Sequence, residues 1–298
     1  MADQGHEFGG VSTDLKLSMV QGYLEAFTKA LRNKFPQLWY IDAFAGTGER
    51  TVRMDAAPAT LFNDETPERI EQRRGSALIA IETKPEFSRL VFMEKKTKHC
   101  EALRALASAN RHRRIDVLQG DANEEIARLI DQQTWRSTRA VMFLDPYGMS
   151  VDWETLTRIR ATEAIDVWYL VSLAGLFRQA PRDEAAIDLN KRAAISRMLG
   201  TEKWQDDWYN EDNNLDLFGE ARRSRFMEIP DMQNYIHSRL KTIFPAVLKP
   251  LTLRNDSNVP MFALFFAISN PNPSAIRLAT DIAGYILNSG RESQVLPR

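Results

Sequence analysis

At 298 residues, with 39 Lys plus Arg against 40 Asp plus Glu, 44% hydrophobic and 27% charged residues, the chain has the composition of an ordinary globular protein with one sizeable core. The formal charge of -1 argues against a general attraction to polyanions while leaving local basic patches open. A single cysteine, Cys100, excludes an internal disulfide and suits a reducing compartment, and no apolar run reaches the length of a membrane span, so the expected location is the cytoplasm.

Residues 1–11 are glycine-rich and polar. A helix is predicted over 13–31, where Val20, Leu24, Phe27 and Leu31 recur at helical spacing. Lys16 lies one turn before Val20, and this helix leads straight into an apolar strand ending at Asp42, so Lys16 can reach the same end of a sheet. The stretch 38–48, LWYIDAFAGTG, organises the chain: an acid stands where the apolar run stops, and Gly46 and Gly48 suit a tight turn around a ligand. A polar, Pro-containing insertion follows over 49–74, to which no regular structure is assigned for the most part. Gly75, Ser76, Ala77 and Leu78 open a short helix that ends before Pro85.

An apolar strand over 90–93 then ends at Glu94, a helix covers 96–109, and a strand over 115–118 carries Gly120, Asp121, Ala122 and Asn123 at its tip. After a helix at 125–133, the continuous apolar run 140–144 reads as a central parallel strand, stopped by Asp145, Pro146, Tyr147 and Gly148. A helix at 153–161 and a strand at 165–171 complete an alternation that predicts a doubly wound α/β sheet with its strand ends along one edge. Beyond Ser172 a helix is predicted over 185–199, then an acidic stretch over 201–216 holding Trp204, Trp208 and Tyr209, which either packs a subdomain or forms an interface. Arg222, Arg223 and Arg225 either track a nucleic-acid backbone or pair with the acids before them. Asp231 is expected to cap a helix presenting Met232, Ile236 and Leu240. An edge strand over 247–253 broken by Pro250 and a strand over 259–268 form an antiparallel hairpin, and a last helix runs over 274–287 with Ile276, Ala279, Ala283 and Ile286 inward and Gly290 as its stop. The expected organisation is one domain over 1–298: a cofactor-binding core at 12–172, the loop insertion at 49–74, a helical and polar insertion at 173–244, and a hairpin and helix at 245–290 completing the sheet.

The strand ends gather polar groups along one edge: Asp42 with Gly46 and Gly48, then Glu94, then Asp121 with Asn123, then Asp145. An acid after the second strand suits ribose hydroxyls, and one after the third suits the exocyclic amine of adenine. A dinucleotide would want a GxGxxG turn running directly into a helix, whereas here Glu49 and the long insertion follow Gly48. Carboxylates at Asp42 and Glu49 repel a pyrophosphate and suit the ammonium and sulfonium of S-adenosylmethionine. No GxxxxGK[ST] occurs. His6, His99, His112 and His237 lack ligand spacing, so no metal site is expected, and Cys100 reads as an ordinary helix thiol.

The combination of YIDAFAGTG at 40–48, GSA at 75–77, GDAN at 120–123, FLDPYGM at 143–149 with Trp153, and IDVWYL at 165–170 resembles the three-Cys-motif partner protein family (TcmP) over residues 14 to 290. That family is similar to class I S-adenosylmethionine-dependent methyltransferases and, more distantly, to large-ribosomal-RNA adenine-N6 methyltransferases that share a lysine on an N-terminal helix and a D-P-P-Y motif. The resemblance implies a Rossmann-like methyltransferase fold, S-adenosylmethionine as cofactor, and a separately encoded partner bearing a three-cysteine motif. It would set Asp42, Phe44, Gly46 and Gly48 around the methionine part, Glu94 on the ribose, and Asp121 with Asn123 near the adenine. Asp145, Pro146 and Tyr147 would face the transferred methyl, with Lys16 beside them and an amino nitrogen of a nucleic-acid base as acceptor. Here Gly148 follows Tyr147, one proline short of D-P-P-Y, which changes the loop that grips the target amine. Two other readings stay open: a methyltransferase-like module that binds the partner with little turnover of its own, and a nicotinamide-dependent oxidoreductase.

Overall fold

The computed structural model describes residues 11–54, 69–215 and 221–295. Helix α1 (Val11–Leu31) leads to β1 (Gln37–Asp42), and a hairpin of β2 (Glu49–Met54) and β3 (Arg69–Arg74) precedes α2 (Ser76–Glu82). The core continues through β4 (Arg89–Glu94), α3 (Thr97–Ala109), β5 (Ile115–Gln119), α4 (Ala122–Asp131), β6 (Thr138–Leu144), α5 (Trp153–Ala161) and β7 (Ile165–Ser172). Next come α6 (Leu173–Gln179), α7 (Leu189–Leu199), α8 (Trp204–Trp208), a hairpin of β8 (Tyr209–Leu215) and β9 (Ala221–Arg225), and α9 (Ile229–Leu240). The chain closes with β10 (Ala246–Val247), β11 (Leu251–Arg254), β12 (Pro260–Ile268) and α10 (Pro273–Val295).

The main sheet has the order β5-β4-β1-β6-β7-β12, with β10 and β11 both on the outer side of β12. The strands from β5 to β7 are parallel, and β12 lies antiparallel beside β7. A parallel sheet with one antiparallel strand set second from the edge is the sheet of the Rossmann-like methyltransferase fold. The chain leaves β1 toward β4 and β5, then returns to β6 on the other side. The switch point, where crossovers diverge and a crevice opens, is therefore at the carboxyl ends of β1, β4 and β6.

Near-continuous apolar strands require cover on both faces, and the helices supply it. One face buries Ile41, Met142, Val167 and Phe265 under α4 to α9; the other buries Tyr40, Phe92, Trp168 and Phe266 under α1, α2, α3 and α10. Phe265 and Phe266 are wholly buried, each contributing roughly 2 kcal/mol by burial, so β12 is welded to both faces at once.

Several elements depart from expectation for local physical reasons. The insertion at 49–74 is framed by the β2–β3 hairpin, its central residues 55–68 lying outside the described part. The helix expected over 185–199 is broken, because Asp188 caps α7 by accepting from the Lys191 N–H at 2.9 Å, leaving a 3-10 turn at Glu184–Ala186. Asp231 is the fourth member of a capping box whose cap is Glu228, accepting from the Glu228 N–H at 2.9 Å. Gly290 does not stop the last helix: a Cβ there would stand 2.8 Å from the Met19 sulfur, so the glycine lets α10 press against α1. Pro250 separates β10 from β11 at the sheet edge, as its missing N–H demands.

The aromatic stretch past Ser172 is internal, and of the three arginines after it Arg223 and Arg225 turn to partners within the protein while Arg222 is exposed. Trp204, Trp208 and Tyr209 are fully buried, the Trp204 ring lying 5.3 Å from that of Trp208 and 6.4 Å from that of Tyr209. Arg223 pairs with Glu184 at 2.9 Å and Asp206 at 3.0 Å, and Arg225 lies 3.7 Å over Phe177. Among the described residues no helix is long and apolar enough to cross a membrane.

Candidate functional site

The turn after β1 is fixed by backbone geometry. Gly46 and Gly48 take φ of +60° and +79°, a region costly for other residues. A Cβ on Gly48 would meet Leu106 at 3.0 Å and Leu103 at 3.4 Å, so this glycine packs the turn onto α3. A Cβ on Gly46 would meet nothing within 4 Å, so this position leaves open space beside the switch point.

Asp42 is wholly enclosed rather than exposed to that space. Its Oδ2 accepts from the Tyr40 hydroxyl at 3.1 Å and its Oδ1 from the Phe44 N–H at 3.3 Å, and the Ser76 side chain bonds it as well. Burial lifts its pKa to about 6, against those three hydrogen bonds and with the Asp145 charge adding to the rise. Its carboxyl therefore braces the turn from beneath, and half-buried Phe44 is positioned by it.

Glu94 is buried at the end of β4. Its Oε1 accepts from the Lys95 and Lys96 N–H groups, both at 2.8 Å, and its Oε2 accepts from the Gly46 N–H at 3.1 Å, with His99 Nδ1 3.4 Å away. The carboxylate thus ties the β4 end to the glycine turn. Asp121 caps α4, accepting from the Asn123 N–H at 3.1 Å; burial pushes its pKa up, and the Asn123 and Lys95 donors outweigh this and hold it below the usual range. The Asn123 side chain works as a bracket: its amide donates to Asp121 at 3.3 Å and to Ser150 O at 2.8 Å, while its carbonyl accepts from the Asp152 N–H at 3.0 Å and the Thr155 hydroxyl at 2.8 Å. All of its hydrogen-bonding positions are filled inside the protein.

Lys16 reaches across from α1 and forms an ion pair with Asp145 just past β6, both groups largely shielded, at 12% and 29% side-chain exposure. Asp145 and Pro146 are half-buried, while Tyr147 is 70% exposed, with the Lys96 ammonium 5.5 Å above its ring. Gly148, at φ +70°, turns the loop back, and Ser150 Oγ donates to Tyr147 O at 2.5 Å. The residues expected at this edge therefore meet there: Lys16 with Asp145, Glu94 with the Gly46 turn, and Asp121 with Asn123. Sequence reasoning missed Ser76 as a partner of Asp42, although it stood in the quoted GSA, and missed Lys96 and His99, which follow the Glu94 strand end within one helical turn.

Other sequence candidates have ordinary partners. Cys100 is buried, its thiol donating to Glu94 O at 3.2 Å and its pKa raised chiefly by burial. His237 Nε2 lies 3.2 Å from Val247 O, and among the described residues no cluster of metal-ligating side chains occurs.

No protein-family model matches the chain, and no curated protein matches it. Among solved structures, a protein from Legionella pneumophila is similar at 15% identity over 95% of each chain, with a TM-score of 0.48. An Escherichia coli protein described as a methyltransferase is 11% identical over 68% of this chain and 84% of its own, at 0.31. An S-adenosylmethionine-dependent methyltransferase from Clostridium acetobutylicum is 9% identical over 86% of this chain and 91% of its own, at 0.37. These likenesses carry nothing about what this chain binds or does.

Proposed function

We propose that this chain is an S-adenosylmethionine-dependent methyltransferase acting on an amino nitrogen of a nucleic-acid base, in keeping with its resemblance to the three-Cys-motif partner proteins. The observation that carries the reading is the Lys16–Asp145 ion pair, which holds an acid just past β6, on the sheet edge that carries the open Gly46 turn after the neighbouring β1, with exposed Tyr147 two residues on. Open space at Gly46 and the partly exposed Asp145 carboxylate on the same sheet edge fit a ligand with a cationic amino-acid part, and Asp121, at the tip of β5, would receive an adenine amine. When bound, the cofactor supplies an electrophilic methyl carbon. An amino nitrogen conjugated into a base is a poor nucleophile; Asp145 and the Pro146 carbonyl would accept its hydrogens and turn its lone pair toward that carbon. Tyr147 would stack on the base, worth roughly 1 to 3 kcal/mol, and Lys96 above it would meet the backbone phosphate. Orientation supplies much of the remaining rate.

Calorimetric titration with S-adenosylmethionine and S-adenosylhomocysteine tests the first half. Saturable binding is expected, at least tenfold weaker in Glu94→Ala, which loosens the Gly46 turn. Methyl transfer to RNA or DNA tests the second, with Asp145→Ala binding cofactor but losing turnover. Cofactor binding without transfer to any nucleic acid would remove the proposed acceptor.

A second reading, a methyltransferase-like module that recognises a three-cysteine-motif partner, is favoured by a specific observation. The Glu94 carboxylate and the Asn123 amide, both expected at the cofactor, are largely taken up by the protein itself. Absence of cofactor binding by the folded chain would select this reading.

A further inference from the structure

A cavity of about 940 Å³ opens at the opposite edge of the sheet, where β6 and β7 begin and β12 ends, between the C-terminal half of α1 and the N-terminal half of α10. That is the size of a site for a small organic molecule. It lies apart from the carboxyl edge that carries Gly46, Glu94 and Asp145, and none of those residues lines it.

Its walls are aromatic and aliphatic: Tyr23, Phe27, Phe35, Trp135, Leu278 and Ile282. Against these walls stand an acid and a base that do not satisfy each other. Asp166 Oδ2 accepts from the Tyr23 hydroxyl at 2.8 Å, and among the described residues its Oδ1 accepts no hydrogen bond. The Arg139 guanidinium is stacked 4.2 Å from the Phe35 ring and spends Nη1 on Thr138 O at 2.7 Å and Trp135 O at 3.3 Å. Among the described residues its Nε and Nη2 donate to nothing, and its charge acts on Asp166 without a direct hydrogen bond or close ion pair between them. Burial lifts the Asp166 pKa to about 7 despite the Tyr23 bond and the Arg139 charge, as befits a carboxyl whose donors are incomplete. Glu163, which also lines the cavity, takes φ +53° as the residue after the cap of α5, its N–H bonding Arg160 O at 3.1 Å. Exposed Lys34 and Arg136 form a cationic rim.

An unconsummated acid and base in an aromatic slot call for a flat group with donors for the acid and an acceptor for the base. We propose that this cavity binds a nucleotide whose base carries adjacent ring N–H and carbonyl groups, as guanine does. Asp166 receives the base N–H groups, Arg139 donates to the carbonyl, the aromatic walls hold the ring, and Lys34 with Arg136 meets the phosphate.

The test is calorimetric titration of the full chain with guanosine monophosphate, guanosine and adenosine monophosphate. Saturable binding of guanosine monophosphate is expected, with adenosine monophosphate at least tenfold weaker, since adenine offers neither group in that arrangement. Asp166→Asn should weaken guanosine monophosphate at least tenfold. The exposed-rim change Arg136→Ala should weaken guanosine monophosphate but leave guanosine unchanged, which keeps the test alive where the interior variant unfolds. Saturating S-adenosylhomocysteine should leave the titration unaltered. Absence of saturable binding to folded protein, equal affinity for the two monophosphates, or displacement by S-adenosylhomocysteine overturns the proposal.

Discussion

Replacing Asp42 by asparagine removes a charge that the fold holds against its solvation, and the pH dependence of stability measures it. Burial, opposed by bonds from Ser76, Phe44 and Tyr40, raises the Asp42 pKa from 3.8 to about 6. A carboxyl with a higher pKa folded than unfolded binds more protons in the folded state between those values. Stability therefore falls as pH rises through that window and is flat above it. The full rise corresponds to about 3 kcal/mol against the folded state above about pH 6, and about 1.4 kcal/mol of that accrues between about pH 5 and about pH 7.5. Asp42→Asn keeps an oxygen for the Phe44 N–H and does not titrate. Asp166, also raised, is present in both proteins and cancels. Urea unfolding at the two pH values, followed by tryptophan fluorescence, should show wild type losing about 1.4 kcal/mol more than the variant over this interval. Equal losses would refute the reasoning, because Asp42 would then ionise as it does in the unfolded chain.

Three further outcomes are expected. In a double-mutant cycle on Lys16→Met and Asp145→Asn, chemical denaturation should give a coupling of about 1 to 3 kcal/mol, since either single change strands a shielded charge; additivity would mean the pair contributes nothing. Asn123→Ala should cost about 2 to 3 kcal/mol in the same assay and speed hydrogen exchange at the Asp152 amide, whose acceptor it removes; unchanged exchange would show that the bracket does not hold the loop. Gly290→Val should destabilise by about 1 to 3 kcal/mol through overpacking against Met19, and Met19→Ala should restore part of the loss; a neutral Gly290→Val would show that α10 can shift away.

The sheet was legible because its strands are short apolar runs stopped by acids, and the runs ending at Asp42, Glu94 and Asp145 are strands that end there or within one residue. The edge position of Pro250 was readable for a comparable reason, a missing donor. The reach of Lys16 toward the Asp145 edge followed from chain order alone, because a helix entering β1 must start near the end where β1 finishes. Less was legible where a residue's meaning is set by what lies opposite it. Gly290 reads as a helix stop until Met19 faces it, and Asp42 reads as a ligand contact until Tyr40 and Ser76 enclose it. Asn123 likewise carries no mark in sequence that its amide is spent on Ser150 and Asp152, nearly thirty positions on. The cavity on the far edge had no signal, since Tyr23, Arg139 and Asp166 belong to three elements and each occupies an unremarkable place in its own pattern.

The placement of β12 bears on the order in which the protein can be made. β7 bonds β6 on one side and β12 on the other, yet almost ninety residues separate β7 from β12 along the chain. During synthesis β7 is thus a bare apolar edge from the time the parallel half can assemble until residue 268 has left the ribosome. A ribosome-held chain ending before β12 should recruit chaperones and cross-link through that edge, whereas one extended past α10 should not; equal recruitment by both would mean that the insertion between them shields β7 meanwhile.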